Sequence, residues 1–246
     1  ASTVLGALGQ LFYSMSLAMG IMITYGSYMQ KENLLEHSVT QIEVFDTLFA
    51  FIAGLMIIPA VVAFNGGDPS QINNGPGLMF ITLPMVFDFM HFGTIIGTVF
   101  FLLVLFAALT SSISLMETIV SVVMDKTPLK RTPATLLVTV VVLLFGVPSC
   151  LGYGPWASVK IIGMQFLDFF DFISNSVLMP IVAFLTCILI GHVVGTKVIA
   201  DEVKEGAGSF HREALHRVMV RWIAPILLLV ILGTELATKV FHLFTI

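Results

Sequence analysis

Five long stretches of this chain contain no charged residue. They cover residues 1–30, 47–67, 92–116, 132–159 and 172–196. Each is long enough to cross a hydrocarbon core, which requires about 20 apolar residues. Soluble domains carry about 25% charged residues, whereas this chain has 11% charged and 57% hydrophobic residues. The sequence therefore predicts an all-α bundle that crosses a membrane several times.

Hydropathy and turn signals divide the chain into six predicted membrane segments. They span about 3–29, 43–65, 93–124, 133–152, 161–194 and 217–241. Residues 66–92, between the second and third segments, begin with turn-forming Asn, Gly and Pro and continue into an apolar stretch that is too short to span. We expect that stretch to form a helix lying in an extracellular loop.

The distribution of Lys and Arg predicts the orientation, because cytoplasmic loops carry an excess of these residues. With residue 1 outside, only Lys160 and Lys239 of the 11 basic residues fall on the outer side. We therefore predict a multi-pass protein of the cell (inner) membrane. The cytoplasmic loops would lie near 31–42, 125–132 and 195–216.

Small hydroxyl residues interrupt two of the apolar segments. Residues 110–112 read Thr-Ser-Ser in the third segment, and Ser14 and Ser16 precede Gly20 in the first. Lipid cannot hydrogen-bond these groups, so they need partners within the protein. A helix broken near Gly20 would expose carbonyls that can bind Na⁺. The alternative, in which the hydroxyls bond to the preceding turn or allow close helix packing, remains open.

Several acids border the membrane segments. Asp46 precedes the second charge-free run, where it is either part of a functional site or a cap at the start of a helix. Asp125, beside Lys126, is equally well a surface charge, and Glu117 has no assigned role. No protease, hydrolase or phosphate-binding motif occurs in the sequence, so we expect neither an enzyme nor a nucleic-acid partner.

Three motifs together resemble one known family. Residues 9–20 read G-Q-x-F-Y-S-x-S-L-x-x-G, and residues 23–28 read I-T-Y-G-S-Y. Both resemble the sixth helix of the neurotransmitter:sodium symporters. Residues 77–84 are similar to the end of that family's fourth extracellular loop, and residues 107–112 are similar to its eighth helix. The bacterial amino-acid members are the most similar.

The resemblance implies which part of the family's fold the chain represents. The family has eleven or twelve helices, which include two inverted five-helix repeats. The chain is similar to helices six to eleven, which are the second repeat of the bacterial leucine-transporter-like fold plus one further helix. A missing N-terminal half is then an expected partner, together with the lipid bilayer and an amino-acid substrate.

The resemblance also implies site residues, each transferred by its motif position. Two Na⁺ sites are expected, each completed outside this chain. The first would take Ser14 and Asp46, and the second would take the Ala107 backbone, Thr110 and Ser111. The substrate pocket would be lined by Tyr13, Ser14, Ser16, Met19, Ser111 and Leu115. The gate residues would be Tyr28 and Asp125 on the inner side and Asp171 on the outer side.

Two departures from the family pattern affect these expectations. Ala18 stands where many members have glycine in the broken helix. Ala50 stands where chloride-dependent members have a serine ligand, and Asp46 replaces the usual asparagine. Because Asp46 can itself supply a negative charge beside Na⁺, chloride is not expected. Proton counter-transport by the same carboxylate is a secondary hypothesis.

The sequence thus favours sodium-coupled symport of a neutral amino acid, one that is hydrophobic or aromatic, by alternating access. The alternative is a non-transporting structural or regulatory membrane subunit. The wall of an ion channel is a third hypothesis, but a channel should show a polar stripe along a whole helix. Here the polar residues are concentrated at mid-depth in two segments.

Overall fold

Long apolar helices dominate this computed structural model, which describes residues 2–30, 34–66, 75–207 and 209–239. The helices are α1 (Ser2–Ser14), α2 (Ile21–Tyr28), α3 (Leu35–Phe64), α4 (Gly75–Phe89), α5 (Gly93–Lys126), α6 (Arg131–Leu151), α7 (Phe166–Val194), α8 (Thr196–Ala207) and α9 (Glu213–Ala237). Of these, α3, α5, α6, α7 and α9 are long and apolar enough to cross a membrane. The residues that the structure describes contain no β-strand, so the predicted all-α class is confirmed.

The first predicted segment consists of two short helices, α1 and α2, as expected for a helix broken near Gly20. At two other places the structure differs from the sequence-based expectations. Helix α3 begins at Leu35, so Asp46 lies well inside it, and the alternative of a cap at the helix start is wrong. The polar stretch 195–216 was expected to be a loop, but it contains α8, which buries Ala200 and Val203. An amphipathic surface helix of this kind has no charge-free run to reveal it.

Helices α4, α7 and α9 contain wide π-helical turns. These turns are Leu78–Thr82, Phe172–Leu178, Leu189–Val194 and Met219–Ile223. Pro84, Pro180 and Pro225 each stand two residues after one of them. A proline has no N–H and its ring crowds the carbonyl four residues earlier. The wider turn accommodates this loss without ending the helix.

The described residues form two compact units. Unit 2 comprises residues 41–114, and its core packs Val61 of α3 against Leu83 and Val86 of α4. The turn from α4 into α5 depends on Gly93, because a Cβ at this position would lie 1.6 Å from the Phe87 carbonyl oxygen. Only glycine therefore allows α5 to begin at this position.

Unit 1 comprises residues 1–40 and 115–246. Val120 of α5 packs against Ala134 and Val138 of α6. Helices α7 and α9 meet around the buried Leu228, and the Ser176 hydroxyl donates a hydrogen bond of 3.0 Å to Glu235 Oε2.

A carboxylate clasp holds the connection between α8 and α9 against the start of α3 within unit 1. Glu36 Oε2 accepts the backbone N–H of His211 and Glu36 Oε1 accepts that of Arg212, each at 3.1 Å. His211 Nδ1 also lies 3.4 Å from Glu36 Oε2. Sequence reasoning did not find this clasp, because 175 residues separate Glu36 from His211.

Much of the apolar side-chain surface of these helices is exposed. Leu143, Leu144 and Phe145 of α6, for example, are each about 60% exposed or more. A soluble domain would bury such a face, whereas a bilayer or a neighbouring helix covers it in a membrane protein.

Candidate functional site

The first helix ends in a Schellman motif, although no glycine occupies the turn position. After Ser14, the Leu17 N–H donates to the Phe12 carbonyl and the Ser16 N–H donates to the Tyr13 carbonyl, each at 3.0 Å. Ser16 adopts the left-handed conformation with φ 55°, the position that glycine usually fills. The break predicted in this segment is therefore present in the structure, and a serine forms its turn.

Three alternate residues of the break have positive φ angles. These are Ser16 (55°), Ala18 (60°) and Gly20 (82°). The left-handed conformation costs a residue with a side chain about 1–2 kcal/mol, and such strain tends to cluster at functional sites. Helix α2 then begins where the Thr24 N–H donates to the Gly20 carbonyl at 3.0 Å. Residues 15–20 consequently lie outside the two α-helices that flank them.

Helix α2 is held at both ends against one turn of α5. At its start, a Cβ on Gly20 would lie 2.9 Å from Cγ2 of the buried Thr118, so the chain can approach this side chain so closely only with glycine. At its end, the Tyr28 hydroxyl donates to Glu117 Oε1 at 2.8 Å. These contacts fix the orientation of α2 relative to the second half of α5.

Glu117, which had no role assigned from the sequence, connects three helices. Its Oε1 accepts from Tyr28 of α2, and its Oε2 accepts from Arg131 Nη2 of α6 at 2.5 Å. The Glu117 side chain is 17% exposed and that of Arg131 is 66% exposed. An acid within a membrane helix needs a partner, and this was the sequence signal that could have drawn attention to Glu117. Its partners could be identified only from the fold.

Neither of the two predicted gate acids bonds to this cluster, although the charge of Asp125 lies close enough to act on Tyr28. Asp125 is exposed near the end of α5 and makes no hydrogen bond or ion pair with any residue that the structure describes. Asp171 of α7 accepts a hydrogen bond from Asn175 Nδ2 at 2.5 Å. The predicted gate tyrosine, Tyr28, contacts Glu117.

The hydroxyl cluster of unit 2 lies on an unbroken part of α5. Thr110 Oγ1 donates to the Phe106 and Ala107 carbonyls at 3.1 and 3.0 Å, and Ser112 Oγ donates to the Leu109 carbonyl at 2.8 Å. For these two side chains the alternative of bonding to the preceding turn is observed. The Ala107 carbonyl, which the resemblance implies as a ligand, belongs to a continuous helix and also accepts the Thr110 hydroxyl, so a cation would have to displace that hydroxyl hydrogen.

Ser111 differs from its neighbours in this cluster. Within the described ranges, its hydroxyl makes no hydrogen bond, and the residue is exposed. The Ala107 carbonyl oxygen, one turn before Ser111, and Thr110 Oγ1, adjacent to Ser111, lie 3.0 Å apart. Three hard oxygen ligands of the kind that suits alkali and alkaline-earth cations therefore lie on neighbouring positions of one helix.

The remaining predicted site residues divide between the two units. Unit 1 contains Tyr13, Ser14, Ser16 and Met19 at the break, and also Leu115. Unit 2 contains Asp46 and Ser111. The candidate site residues thus centre on two local arrangements, the break in unit 1 and the hydroxyl cluster in unit 2.

A sequence model of the sodium:neurotransmitter symporter family matches residues 1–242. The chain belongs to this family. The family consists of symporters, which are transporters and not enzymes. The chain is therefore part of a multi-pass membrane protein.

Individual relatives agree with the family match. The chain is 35% identical over 207 residues to the uncharacterised sodium-dependent transporter YhdH of Bacillus subtilis, covering 84% of this chain and 45% of the relative. It is 34% identical over 233 residues to a sodium-dependent transporter of Haemophilus influenzae, covering 93% and 49%. The chain thus spans about half the length of these relatives.

A solved structure confirms the predicted fold. The crystal structure of MhsT in complex with L-phenylalanine superposes with a TM-score of 0.82 at 37% identity, over 94% of this chain and 51% of that chain. The prediction of a leucine-transporter-like fold within this family is confirmed.

We expect opposite effects from two substitutions in the break. Ala18→Gly should stabilise the protein by about 1 kcal/mol, because glycine adopts the left-handed conformation without strain. Gly20→Ala should destabilise it by about 2 kcal/mol or more, because a methyl group adds the same strain and collides with Thr118. Thermal unfolding of the complete transporter in detergent measures both. Equal shifts of the same sign would contradict the backbone conformation described for this segment.

Proposed function

We propose that the protein to which this chain belongs is a sodium-coupled symporter of a neutral, hydrophobic or aromatic amino acid that works by alternating access. The break between α1 and α2 is the observation that supports this most. A helix interrupted within an apolar segment presents carbonyls and N–H groups that a straight helix would consume. Carbonyls suit Na⁺, and the N–H groups at the start of the second half suit a substrate carboxylate.

The hydroxyl cluster of α5 supports a sodium site. The Ala107 carbonyl oxygen, Thr110 Oγ1 and the Ser111 hydroxyl would each contribute a hard ligand, and the remaining ligands would come from outside this chain. We assign these residues to the second of two sodium sites. The first, for which the family resemblance indicates Ser14 and Asp46, stays a prediction.

The substrate class is inferred from the side chains proposed for the pocket. Tyr13, Met19 and Leu115 offer aromatic and apolar contact, while Ser14, Ser16 and Ser111 offer hydroxyls. None of the six is charged, so a charged substrate side chain would lack a counter-ion in this half of the site. The L-phenylalanine bound to MhsT is of the class proposed here.

Alternating access requires contacts that hold one side closed and then release. The hydrogen bond from Tyr28 to Glu117, with Arg131 on the other carboxylate oxygen, ties the end of α2 to α5 and α6. We propose that this cluster closes the inner side together with Asp125, and that Asp171 acts on the outer side. We also propose that residue 1 lies outside the cell membrane, with segments 31–42, 125–132 and 195–216 on the cytoplasmic side.

Uptake by the complete transporter in proteoliposomes tests the proposed function. An inward sodium gradient should drive accumulation of labelled L-phenylalanine or L-leucine, and unlabelled leucine, tryptophan and tyrosine should compete for it. Glutamate and lysine should compete at least tenfold more weakly, because the proposed pocket offers their side chains no counter-ion. Absence of uptake would favour the alternative, a non-transporting structural or regulatory membrane subunit, and uptake that is independent of sodium would contradict sodium coupling.

Substitution of two hydroxyls tests the sodium site. Thr110→Ala combined with Ser111→Ala should weaken the sodium dependence of uptake by tenfold or more, because hydrogen bonds or ligand contacts to a charged group contribute about 1.5–3 kcal/mol each. The matched control is Ser112→Ala, since this hydroxyl already bonds to the Leu109 carbonyl. Similar sodium curves for the double variant and the control would exclude the assignment.

Transport should not need chloride. We propose that the Asp46 carboxylate supplies the negative charge that an anion supplies in chloride-dependent members, and that Ala50 lacks the hydroxyl to hold an anion. Uptake should therefore persist when gluconate replaces chloride, and Asp46→Asn should lower it at least tenfold in gluconate. The hypothesis fails if the parent protein stops transporting without chloride, or if Asp46→Asn transports normally in both media.

A further inference from the structure

A basic groove lies where α7 ends, α8 begins and α9 starts, and none of its lining residues belongs to the break or the hydroxyl cluster. Its volume is about 500 Å³, within the range of about 300–1,000 Å³ that is usual for small-molecule sites. Its charged lining consists of Lys197, Asp201, Lys204, Glu213, Arg217 and Arg221. Four cations against two anions leave this basic groove with an excess of two positive charges.

Internal ion pairs account for only part of this charge. Glu213 bonds to Lys204 Nζ at 2.6 Å and to Arg217 Nη2 at 2.9 Å. Lys197 and Arg221 make no ion pair or hydrogen bond with any side chain in the described ranges. The groove therefore holds two cations whose charge no described residue neutralises.

Backbone geometry brings Arg221 to this groove. The wide turns Leu189–Val194 and Met219–Ile223 face each other, and a Cβ on Gly191 would lie 3.3 Å from the Arg221 Cα. Gly195, with φ 89°, then turns the chain into α8, which begins at Thr196. Two glycines and two wide turns thus leave an open space that both Arg221 and Lys197 line.

Apolar surface adjoins the basic groove. Trp222, next to Arg221, is 60% exposed, and Val193, at the end of α7, is 73% exposed. The Trp222 ring lies 6.0 Å from that of His192, which lines the groove. Tryptophan is enriched at the level of lipid headgroups. Unpaired cations beside exposed apolar side chains match a molecule with an anionic head and an apolar tail.

We propose that the basic groove binds the phosphate headgroup of an anionic phospholipid, with Lys197 and Arg221 as its ligands. A guanidinium can hold two phosphate oxygens at once, while an ammonium acts as a point charge. The acyl chains would cover Trp222 and Val193. Asp201 lines the same groove and would repel the headgroup, so it lowers the affinity.

The test measures lipid binding to the complete transporter by native mass spectrometry in detergent, with phosphatidylglycerol, phosphatidylcholine and inorganic phosphate as separate probes. Each basic residue near an anionic membrane surface contributes about 1 kcal/mol, or about fivefold in affinity. Lys197→Gln combined with Arg221→Gln should therefore weaken phosphatidylglycerol binding about 25-fold. Asp201→Asn should strengthen it.

The matched control is the double variant Lys126→Gln with Lys130→Gln, which removes the same charge from the connection between α5 and α6. It should change phosphatidylglycerol binding less than twofold. If the double variant does not purify, Lys197→Gln alone, on the surface helix α8, should still show a fivefold loss. Equal losses in the variant and the control would overturn the proposal, because the lipid would then bind through the general positive charge of the protein and not at this groove. Equal affinity for phosphatidylcholine, or displacement of the lipid by inorganic phosphate, would also overturn it.

Discussion

Within hydrocarbon there is no water to satisfy backbone N–H and C=O groups, and this constraint governs the structure. Helices α3, α5 and α6 meet it along most of their length, because their backbone groups bond within the same helix, except where Pro59 and Pro148 lack an N–H. The segment between α1 and α2 does not. Its first carbonyls, those of Leu11, Phe12 and Tyr13, are satisfied by N–H groups of residues 15–17. The backbone between residue 17 and the start of α2 needs a partner from a ligand or from another part of the protein.

An interruption of this kind is stable only if neighbouring structure holds its second half in place. Gly20 and Tyr28 provide this at the two ends of α2, the first by close packing on Thr118 and the second by a hydrogen bond to Glu117. Packing is insensitive to charge, whereas the carboxylate is shared with Arg131. Close packing thus holds the Gly20 end of α2, whereas the Tyr28 end depends on a polar contact that can be exchanged.

The sequence predicted these features unequally, for physical reasons. Charge-free runs revealed the long helices, because lipid excludes charge, but they could not reveal α8 or the first turns of α3, where polar residues face water. The break was predicted from Ser14, Ser16 and Gly20, yet the left-handed turn at Ser16 was not, since that position normally requires glycine. The role of Glu117 depends on residues 89 and 14 positions away. Thr110 was expected as a ligand, and its additional bond to the preceding turn appears only in the fold.

The wide turns of α4, α7 and α9 have a consequence for how related chains are aligned. A π-helical turn holds one residue more than an α-helical turn, so removing that residue restores a regular helix while the residues beyond it keep their face. Loss of one residue between 219 and 223 would leave Leu228 and Ile231 facing Met179 of α7, whereas the same loss in a regular α-helical stretch would rotate them by about 100°. A relative that lacks the proline at position 84, 180 or 225 has less reason to keep the extra residue. Single-residue gaps in family alignments should therefore fall just before these prolines, and they need no compensating gap to retain the packing face.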